Sequence, residues 1–398
     1  MSSINSKTLL VLAASLYQLE AIETAHRLGY RVVTTDNRPG NPGHALADRA
    51  YGVDTRDLDA VLAIARAERI AGVVAPCTDV AMPTMAAVAE ELGLAGPPVH
   101  GTRIACDKAD FRDFQATNGL PHPLFLKLDS PDVLPGLEAA ERWIVKPSQS
   151  SGSKGIRVIS SIDELRRALP AAFAFSKSGE VVVEEFLFGH QGTCDGWLSA
   201  GRIAWHCLLD RQTVPLPFVA TNGHYLPTVL SPADQARVLD AIGTVWQRLG
   251  VTDGPFDCDF VVNAKAVFIL ELSPRLGGNS ISQLIRLAYD FDVVEHTVSW
   301  ACGDKLMPLP SQPPRPSAVL IFGADRVGAL NYREDQARRL SCEPWVRSLS
   351  FDFPLGAPVE SFTDGQRRVG QALLLADTRE ELDRRAMVLR ASLGVTAR

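Results

Sequence analysis

Residues 256–279 read FDCDFVVNAKAVFILELSPRLGGN, and the placing of the acids in this stretch decides how the rest of the chain is read. Phe256-Asp257-Cys258-Asp259-Phe260 alternates apolar and polar side chains, and an apolar run over 266–270 ends at Glu271. With Asn263-Ala264-Lys265 as the turn, the pattern predicts a β-hairpin. If the strands pair antiparallel about that turn, Asp259 and Glu271 lie side by side on one face. Strand side chains alternate with period two, and cross-strand Cβ atoms stand roughly 5 Å apart. Two adjacent carboxylates repel unless a cation neutralises them. Mg²⁺ suits such a pair, because a few carboxylates hold it while phosphate oxygens and water complete its shell. Arg275, just beyond Glu271, supplies a planar fork for a phosphate or carboxylate. A solvated hairpin with surface acids would show the same spacing, so the decision rests on stretches elsewhere.

The chain has 398 residues, too many for one ordinary core, which predicts two or three domains. Its 46% hydrophobic and 22% charged content is that of a soluble globular protein. A net charge of -6 with no block of Lys and Arg argues against a nucleic-acid or anionic-membrane partner, so phosphate binding has to be local. Cys77, Cys106, Cys194, Cys207, Cys258, Cys302 and Cys342 are odd in number and contain no Cys-x-x-Cys pair. That disfavours a disulfide framework or a zinc site and fits a reducing cytoplasm. The apolar start, 7–14, is too short for a signal segment and reads as a first strand, and no run of about 18 apolar residues exists to span a membrane.

Residues 8–14 read as a buried parallel strand, followed by a helix over 17–28 that stops at Gly29. A second strand at 31–36, an amphipathic helix at 58–68, a strand at 70–75 and a helix at 82–92 follow. This alternation predicts a right-handed parallel α/β unit whose working edge is the C-terminal end of its strands. The turn over 13–18 has no Gly-x-Gly-x-x-Gly, which disfavours a dinucleotide site despite Asp36. Thr78 and Asp79, just past a strand end, are better placed for substrate, and serve equally well as a helix N-cap.

From residue 107 the texture changes. Asp107-Lys108 opens a short helix with Phe111 and Phe114, which 118–123 ends. Residues 142–147 and 156–159 read as a hairpin joined by Ser148-Gln149-Ser150-Ser151-Gly152-Ser153-Lys154-Gly155, and Ser161 with Glu164 forms a capping box for the next helix. Such a loop offers backbone N–H groups without Cβ obstruction and can close over phosphates, with Lys146 and Lys154 adding charge; it is not a Walker loop. Residues 180–187 form a strand ending in two acids and two apolar residues. A nucleobase can use that edge, bonding its ring to backbone groups, packing between Phe186 and Leu187 as apolar walls and giving its exocyclic amine to an acid. Residues 192–210 add antiparallel strands, 232–249 is an amphipathic helix, and 282–299 reads as one helix. The Pro-rich 307–316 is a linker. Strands at 318–324, 346–353 and 371–376, with a last helix capped by Thr378 and Glu381, outline a small α+β tail.

The Lys-bearing strand, Gly/Ser loop, acid-ended strand and acidic hairpin, in this order and spacing, resemble the ATP-grasp superfamily of carboxylate ligases, among them L-amino acid ligases, biotin carboxylase and the phosphoribosylaminoimidazole carboxylase ATPase subunit. The resemblance covers almost the whole chain. It implies a mixed α/β and α+β fold: an N-terminal pre-grasp parallel α/β domain at 1–106, an ATP-grasp domain at 107–310 with a lid at 121–186, and a small C-terminal α+β domain at 311–398. It also implies ATP and Mg²⁺ as cofactors. By that likeness Lys108 and Lys146 bind the phosphates, and Ser151, Gly152, Ser153 and Gly155 form the lid loop. Glu184, Glu185, Phe186 and Leu187 line the adenine hinge, and Asp259 and Glu271 hold Mg²⁺. Arg275 and Lys146 are the catalytic pair, Arg275 stabilising an acyl phosphate and the tetrahedral state after it. Two positions depart from the pattern. Gln191 stands where the family has a ribose-binding Glu, and an amide still bonds hydroxyls. Ser273 stands where the third metal ligand is usually Asn, and is a shorter ligand.

Three functions are compatible with these parts. The first is an ATP-dependent ligase that joins a small carboxylate, an amino acid, to an amine. The second is a purine-type or biotin-type carboxylase activating bicarbonate, although the chain has no biotinylated-lysine domain. The third is a nucleotide-binding module without turnover, against which the intact Lys146, Asp259, Glu271 and Arg275 argue. Substrate-lining candidates are Arg211, His224, Arg275, Gly277, Gly278 and Asn279, then Trp205, His206 and Tyr225; Arg211 matters because a carboxylate favours a fork-shaped cation. Phe351-Asp352-Phe353 reads as packing. Expected partners are a small-molecule carboxylate and an amine, with no nucleic acid and no membrane, and a homodimer is the commonest soluble assembly.

Overall fold

The computed structural model describes residues 7–134, 136–137 and 140–398. Residues 1–6, 135, 138 and 139, which fall in the expected 1–106 and 121–186 segments, lie outside the described residues. The first strands, β1 (Thr8–Leu12), β2 (Arg31–Thr35), β3 (Arg49–Tyr51) and β4 (Gly72–Val74), form the expected parallel sheet in the order β3-β2-β1-β4. Every residue of β1 and β4 is buried, as strands covered on both faces require. The strand ends bring Ser15, Asp36 and Asp79 to one edge. Asp36 accepts the N–H groups of Ala14 at 3.0 Å and Arg38 at 2.8 Å, which makes it a tie between loops. The helix expected at 17–28 starts with one tighter turn, Leu16–Gln18, because Ser15 and Gln18 cap each other reciprocally.

Next come β5 (Phe125–Leu128), β6 (Trp143–Pro147), β7 (Arg157–Ile159) and β8 (Val181–Glu185), an antiparallel sheet in the order β5-β8-β6-β7. The helix Ile162–Phe175 packs on it through Leu165 and Leu169 against Trp143, Val145, Val181 and Val183. Its capping differs by one residue from the expected box. The Ser161 hydroxyl accepts from Glu164 N–H, but the Glu164 carboxylate accepts from Ser160 N–H. Glu381 likewise accepts from Asp377 N–H, one place before its cap.

A large antiparallel sheet then gathers β9 (His190–Ser199), β10 (Arg202–Thr213), β11 (Thr221–Leu226), β12 (Gly254–Val262), β13 (Val267–Ser273) and β14 (Ser317–Gly323). The tail supplies β15 (Gly328–Asn331), β16 (Val346–Phe351), β17 (Pro358–Val359), β18 (Arg368–Leu375) and β19 (Thr396–Ala397). The eight-stranded order is β13-β12-β9-β10-β11-β14-β18-β16, and a small sheet runs β17-β15-β19. Hydrogen bonding is therefore continuous from the acidic hairpin into the tail. One face of the large sheet, with Trp205, Leu209, Val319 and Leu373, shares a core with Leu284, Ile285, Val294 and Val298 of two helices and with Leu9, Val11 and Val32 of the first sheet. The opposite face packs Phe256 and Cys194 on Trp246 of the helix Pro232–Leu249.

The single helix expected at 282–299 is two, Ile281–Tyr289 and Val293–Ala301. Asp290 takes a left-handed conformation, with φ of 55°, and Asp292 caps the second helix by accepting Glu295 N–H, so the apolar period carries across a real break. The tail is bound to the large sheet by a buried polar knot. Asp210 accepts from His190 Nε2 at 2.9 Å, Thr228 Oγ1 at 2.6 Å, Val229 N–H at 3.1 Å and Arg379 Nη1 at 2.5 Å. Burial works to raise the pKa of Asp210, but the His190 and Thr228 bonds and the Arg379 charge hold it below its ordinary value. Its stabilisation is therefore full above about pH 4 and lost as pH falls through the lowered pKa. Asp210→Asn should lower the unfolding free energy by about 3 kcal/mol at pH 7, because Arg379 loses its buried partner. Urea titrations should also show a flatter acid limb for the variant.

Candidate active site

The hairpin forms in the register that its acids required. Asp259 of β12 lies opposite Glu271 of β13, and the register shifts immediately beyond, where Leu270 is left without a partner in the ladder. On β9, Thr193 faces Asp259 and Asp195 faces Asp257. The sheet thus presents two rows, Glu271-Asp259-Thr193 and Ser273-Asp257-Asp195. Asp257 was visible in the quoted stretch, since period two puts it on the face of Asp259, yet sequence reasoning passed over it.

Each acid of the pair has one cation. Lys108, at the start of the helix Lys108–Thr117, holds its Nζ 2.8 Å from Glu271 Oε2, and Arg211 Nη1 lies 3.3 Å from Asp259 Oδ2. Thr193 Oγ1 donates to Asp259 Oδ1 at 2.6 Å. Burial raises the pKa of both acids. At Glu271 the Lys108 charge reverses this and holds it below the carboxylate range, whereas Arg211 only partly offsets it at Asp259, which Glu271 pushes further up. Burial opposes the charge of Lys108, and Glu271 more than restores it.

The other residues gather on either side. Lys146 Nζ lies 2.6 Å from Glu184 Oε2, both side chains buried, and burial lowers the lysine's pKa. Arg275 donates Nη1 to Asp257 Oδ2 at 2.5 Å and Nε to Asp79 Oδ1 at 2.8 Å, joining the hairpin to the first sheet's edge. Asp257 is pushed up to about 7 by burial, against the pull of Arg275 and with Asp259 and Asp79 adding to the rise. Asp79 is a ligand of Arg275, the role its place at a strand end left open, and the Thr78 side chain caps no helix.

Two cavities meet at the acid pair. The narrower is walled by Ile144, Ile156, Leu187, Val219, Val261 and Leu270 and carries Lys108, Lys146, Glu184, Glu185, Phe186 and Gln191. The wider, about 600 Å³, reaches from Ser151, Gly152, Ser153 and Lys154 past His224 and Arg275 to Ser15, Asp79, Gly278 and Asn279. Ser153, Arg211, Asp259 and Glu271 line both. Apolar walls with lysines at one end fit a purine base and its polyphosphate, and two register-matched carboxylates, Asp259 half-buried and Glu271 open to the cavity, fit a hard divalent cation. Gly152, Ser153 and Gly155 all have positive φ, the conformations the Gly/Ser composition permits.

Several expected lining residues are elsewhere, and strand parity explains most of them. Arg211 of β10 pairs with His224 of β11, so both face the wide cavity while His206 and Tyr225 point to the other side. Trp205 shares the face of Arg211 but is packed against Tyr289 and Phe291 in the core. His224 is 2% exposed, neither ring nitrogen has a hydrogen-bond partner, and burial and Arg211 push its pKa down to about 3. Gly277 is outside the cavity lining: its N–H donates to Asp195 Oδ1 at 2.9 Å, and an added Cβ would come within 2.7 Å of that oxygen. Ser273 is buried, its Oγ 3.8 Å from Cys106 Sγ, in a small recess with Lys108 and Glu271. Gly365 and Gln366, from the tail, also line the wide cavity. Nothing local in the sequence marks them, because only the folded tail brings them there.

A family model for the ATP-grasp domain matches residues 140–283. The formate-dependent phosphoribosylglycinamide formyltransferase of Burkholderia vietnamiensis is 30% identical over 280 residues, 67% of this chain and 68% of the relative. The chain belongs to the ATP-grasp superfamily and is an enzyme of the class that uses ATP and Mg²⁺ to form carbon–nitrogen bonds. In fold it is similar to the L-amino acid ligase of Bacillus licheniformis, with TM-score 0.81 and 18% identity over 99% of both chains. The phosphoribosylglycinamide synthetase of Anaerococcus prevotii has TM-score 0.76 and 16% identity, over 99% of this chain and 100% of that one.

Proposed function

We propose that this enzyme transfers the γ-phosphoryl group of ATP to the carboxylate of a small acid, an amino acid, and joins the acyl phosphate to an amine, with release of ADP and phosphate. The observation that carries the reading is the Asp259–Glu271 register at the junction of the two cavities. A nucleotide in the narrow cavity would direct its terminal phosphate to that junction, and an acid in the wide one would meet it there. Mg²⁺, when bound, offsets charge on the transferring phosphoryl group. Asp259 and Glu271 are the residues to hold it, with Ser273, of the neighbouring row, beside them. Lys108 and Lys146 position the phosphates, the 148–155 loop excludes water, and Glu185, Phe186, Leu187 and Gln191 receive the nucleoside. Arg275 offers its fork to the acyl phosphate once Asp79 or Asp257 yields. The segments 1–106, 107–310 and 311–398 each contribute to this one site.

The wall around Arg275 supports an amino acid or similar amine. Asp79 and Asp257 outnumber its single guanidinium, so an ammonium is welcome beside them. Arg211 and neutral His224 are then the groups for the substrate's polar end. The relatives' name favours a second reading, in which formate is the acid and phosphoribosylglycinamide the amine. ADP release from Mg·ATP, measured against pooled amino acids, against formate with phosphoribosylglycinamide, and against bicarbonate with an aminoimidazole nucleotide, separates these. The proposal expects release that needs an acid and an amine, with a product lighter than their sum by one water. Release only with bicarbonate would overturn it. A cytoplasmic homodimer is the state we expect, and sedimentation checks the assembly.

A further inference from the structure

Arg112 has no part in the roles above, yet it is the largest charged side chain that the fold buries completely, at 0% exposure. It sits one helical turn after Lys108 on the helix Lys108–Thr117. Three elements meet at its guanidinium. Nε lies 2.9 Å from Glu184 Oε1, on β8 of the small sheet. Nη2 donates to the carbonyl of Leu270 at 2.7 Å, on β13 of the large sheet. Nη1 donates to Gln115 Oε1 at 2.7 Å, and Gln115 passes Nε2 on to the carbonyl of Ile269 at 3.0 Å. Leu270 is the residue that the bulge leaves out of the ladder, so its carbonyl needs an outside donor.

The charges are as telling as the contacts. Arg112, Lys146 and Glu184 form a buried triad with two cations and one anion. A buried guanidinium is costly unless its partners offset the desolvation, and here Glu184, Gln115 and the Leu270 carbonyl are those partners. Glu184 Oε2 accepts from Lys146 Nζ at 2.6 Å and from Arg112 Nη2 at 3.3 Å, while Oε1 lies 2.9 Å from Arg112 Nε. With Arg112 present, Glu184 stays compensated even when Lys146 turns away, and the second positive charge is free for an anion in the narrow cavity, which Lys146 and Glu184 line and Arg112 does not.

We propose that Arg112 is a positioning residue of the nucleotide site: it holds Glu184 on behalf of Lys146, releasing that lysine to a polyphosphate, and pins the Lys146-bearing sheet to the strand that carries Glu271. The inference rests on the narrow cavity being the nucleotide site. Without Arg112, Glu184 has Lys146 as its sole cation, and the lysine is retained where the phosphates need it.

The test uses full-length protein and measures ATP turnover and ADP binding by calorimetry. Arg112→Met should raise KM for ATP by about 10- to 100-fold, the usual loss when the partner supporting a ligand is removed, with kcat changed much less. Arg112→Lys, which keeps a charge but cannot reach Glu184 and Leu270 together, should fall between the two and serves if the methionine variant does not fold. Glu184→Gln added to either variant should recover much of the ATP affinity, since Lys146 is no longer held by an uncompensated anion. A merely structural arginine would give no such recovery. Unchanged KM in a folded variant, or no recovery on adding Glu184→Gln, overturns the positioning role. Failure of the parent to bind ADP would instead overturn the nucleotide-site reading on which it stands.

Discussion

Glu271→Ala should reduce Mg²⁺-dependent turnover by about a thousandfold or more, the several kcal/mol that a correctly held metal ion contributes to a charge-developing transition state. The size follows from the geometry. Asp259 is the other acid of the pair, and it is already tied to Arg211 and Thr193, so it cannot hold the cation alone. Folding should survive. Glu271 is paired with Lys108 near the cavity surface, and its loss also removes a repulsion with Asp259. Circular dichroism and melting temperature should stay close to those of the parent, and ADP affinity without Mg²⁺ should be retained. Turnover within tenfold of the parent at saturating Mg²⁺ would remove Glu271 from the metal role.

The second large effect is expected at Lys146. Lys146→Ala should weaken ATP binding by about 100-fold, within the range seen when one partner of a buried, hydrogen-bonded charge pair is truncated. Its Nζ faces the narrow cavity and has a single anionic contact, Glu184, which Arg112 also serves. The alanine variant should therefore stay folded while it loses affinity for ATP more than for adenosine. Equal ATP affinity in parent and variant would sink the phosphate role.

The hairpin was legible because its information is local. Alternation over 256–260, an apolar run over 266–270 and a short polar turn leave one register that puts Asp259 beside Glu271, and the chain adopts it. The parallel first sheet was legible for the same reason: continuous apolar strands separated by amphipathic helices. What failed was information carried across the fold. Glu184 reads as a base-binding acid from its strand end and does line the narrow cavity, but its pairing with Arg112, brought by a helix elsewhere, is not written there. The face on which Arg211 and His224 point depends on the pairing of β10 with β11, which single-strand patterns do not determine. The wall made by Gly365 and Gln366 comes from a segment more than 200 residues from Lys154 in sequence, and no spacing rule reaches that far. Asp290 interrupts an apolar period that the side chains alone would continue, since a left-handed residue alters direction without altering hydrophobicity.

The place of β13 at the rim of the eight-stranded sheet has one more consequence. A sheet has two rims, and an uncovered rim is a template on which another molecule's strand can add. Here Arg112 and Gln115 cap two carbonyls of the strand that forms the rim bearing Glu271, those of Leu270 and Ile269. The far rim, β16, is protected differently, by exposed Arg347, Ser348 and Ser350. The helix that carries Lys108 thus also blunts this rim: two of its side chains occupy backbone acceptors that another strand would need.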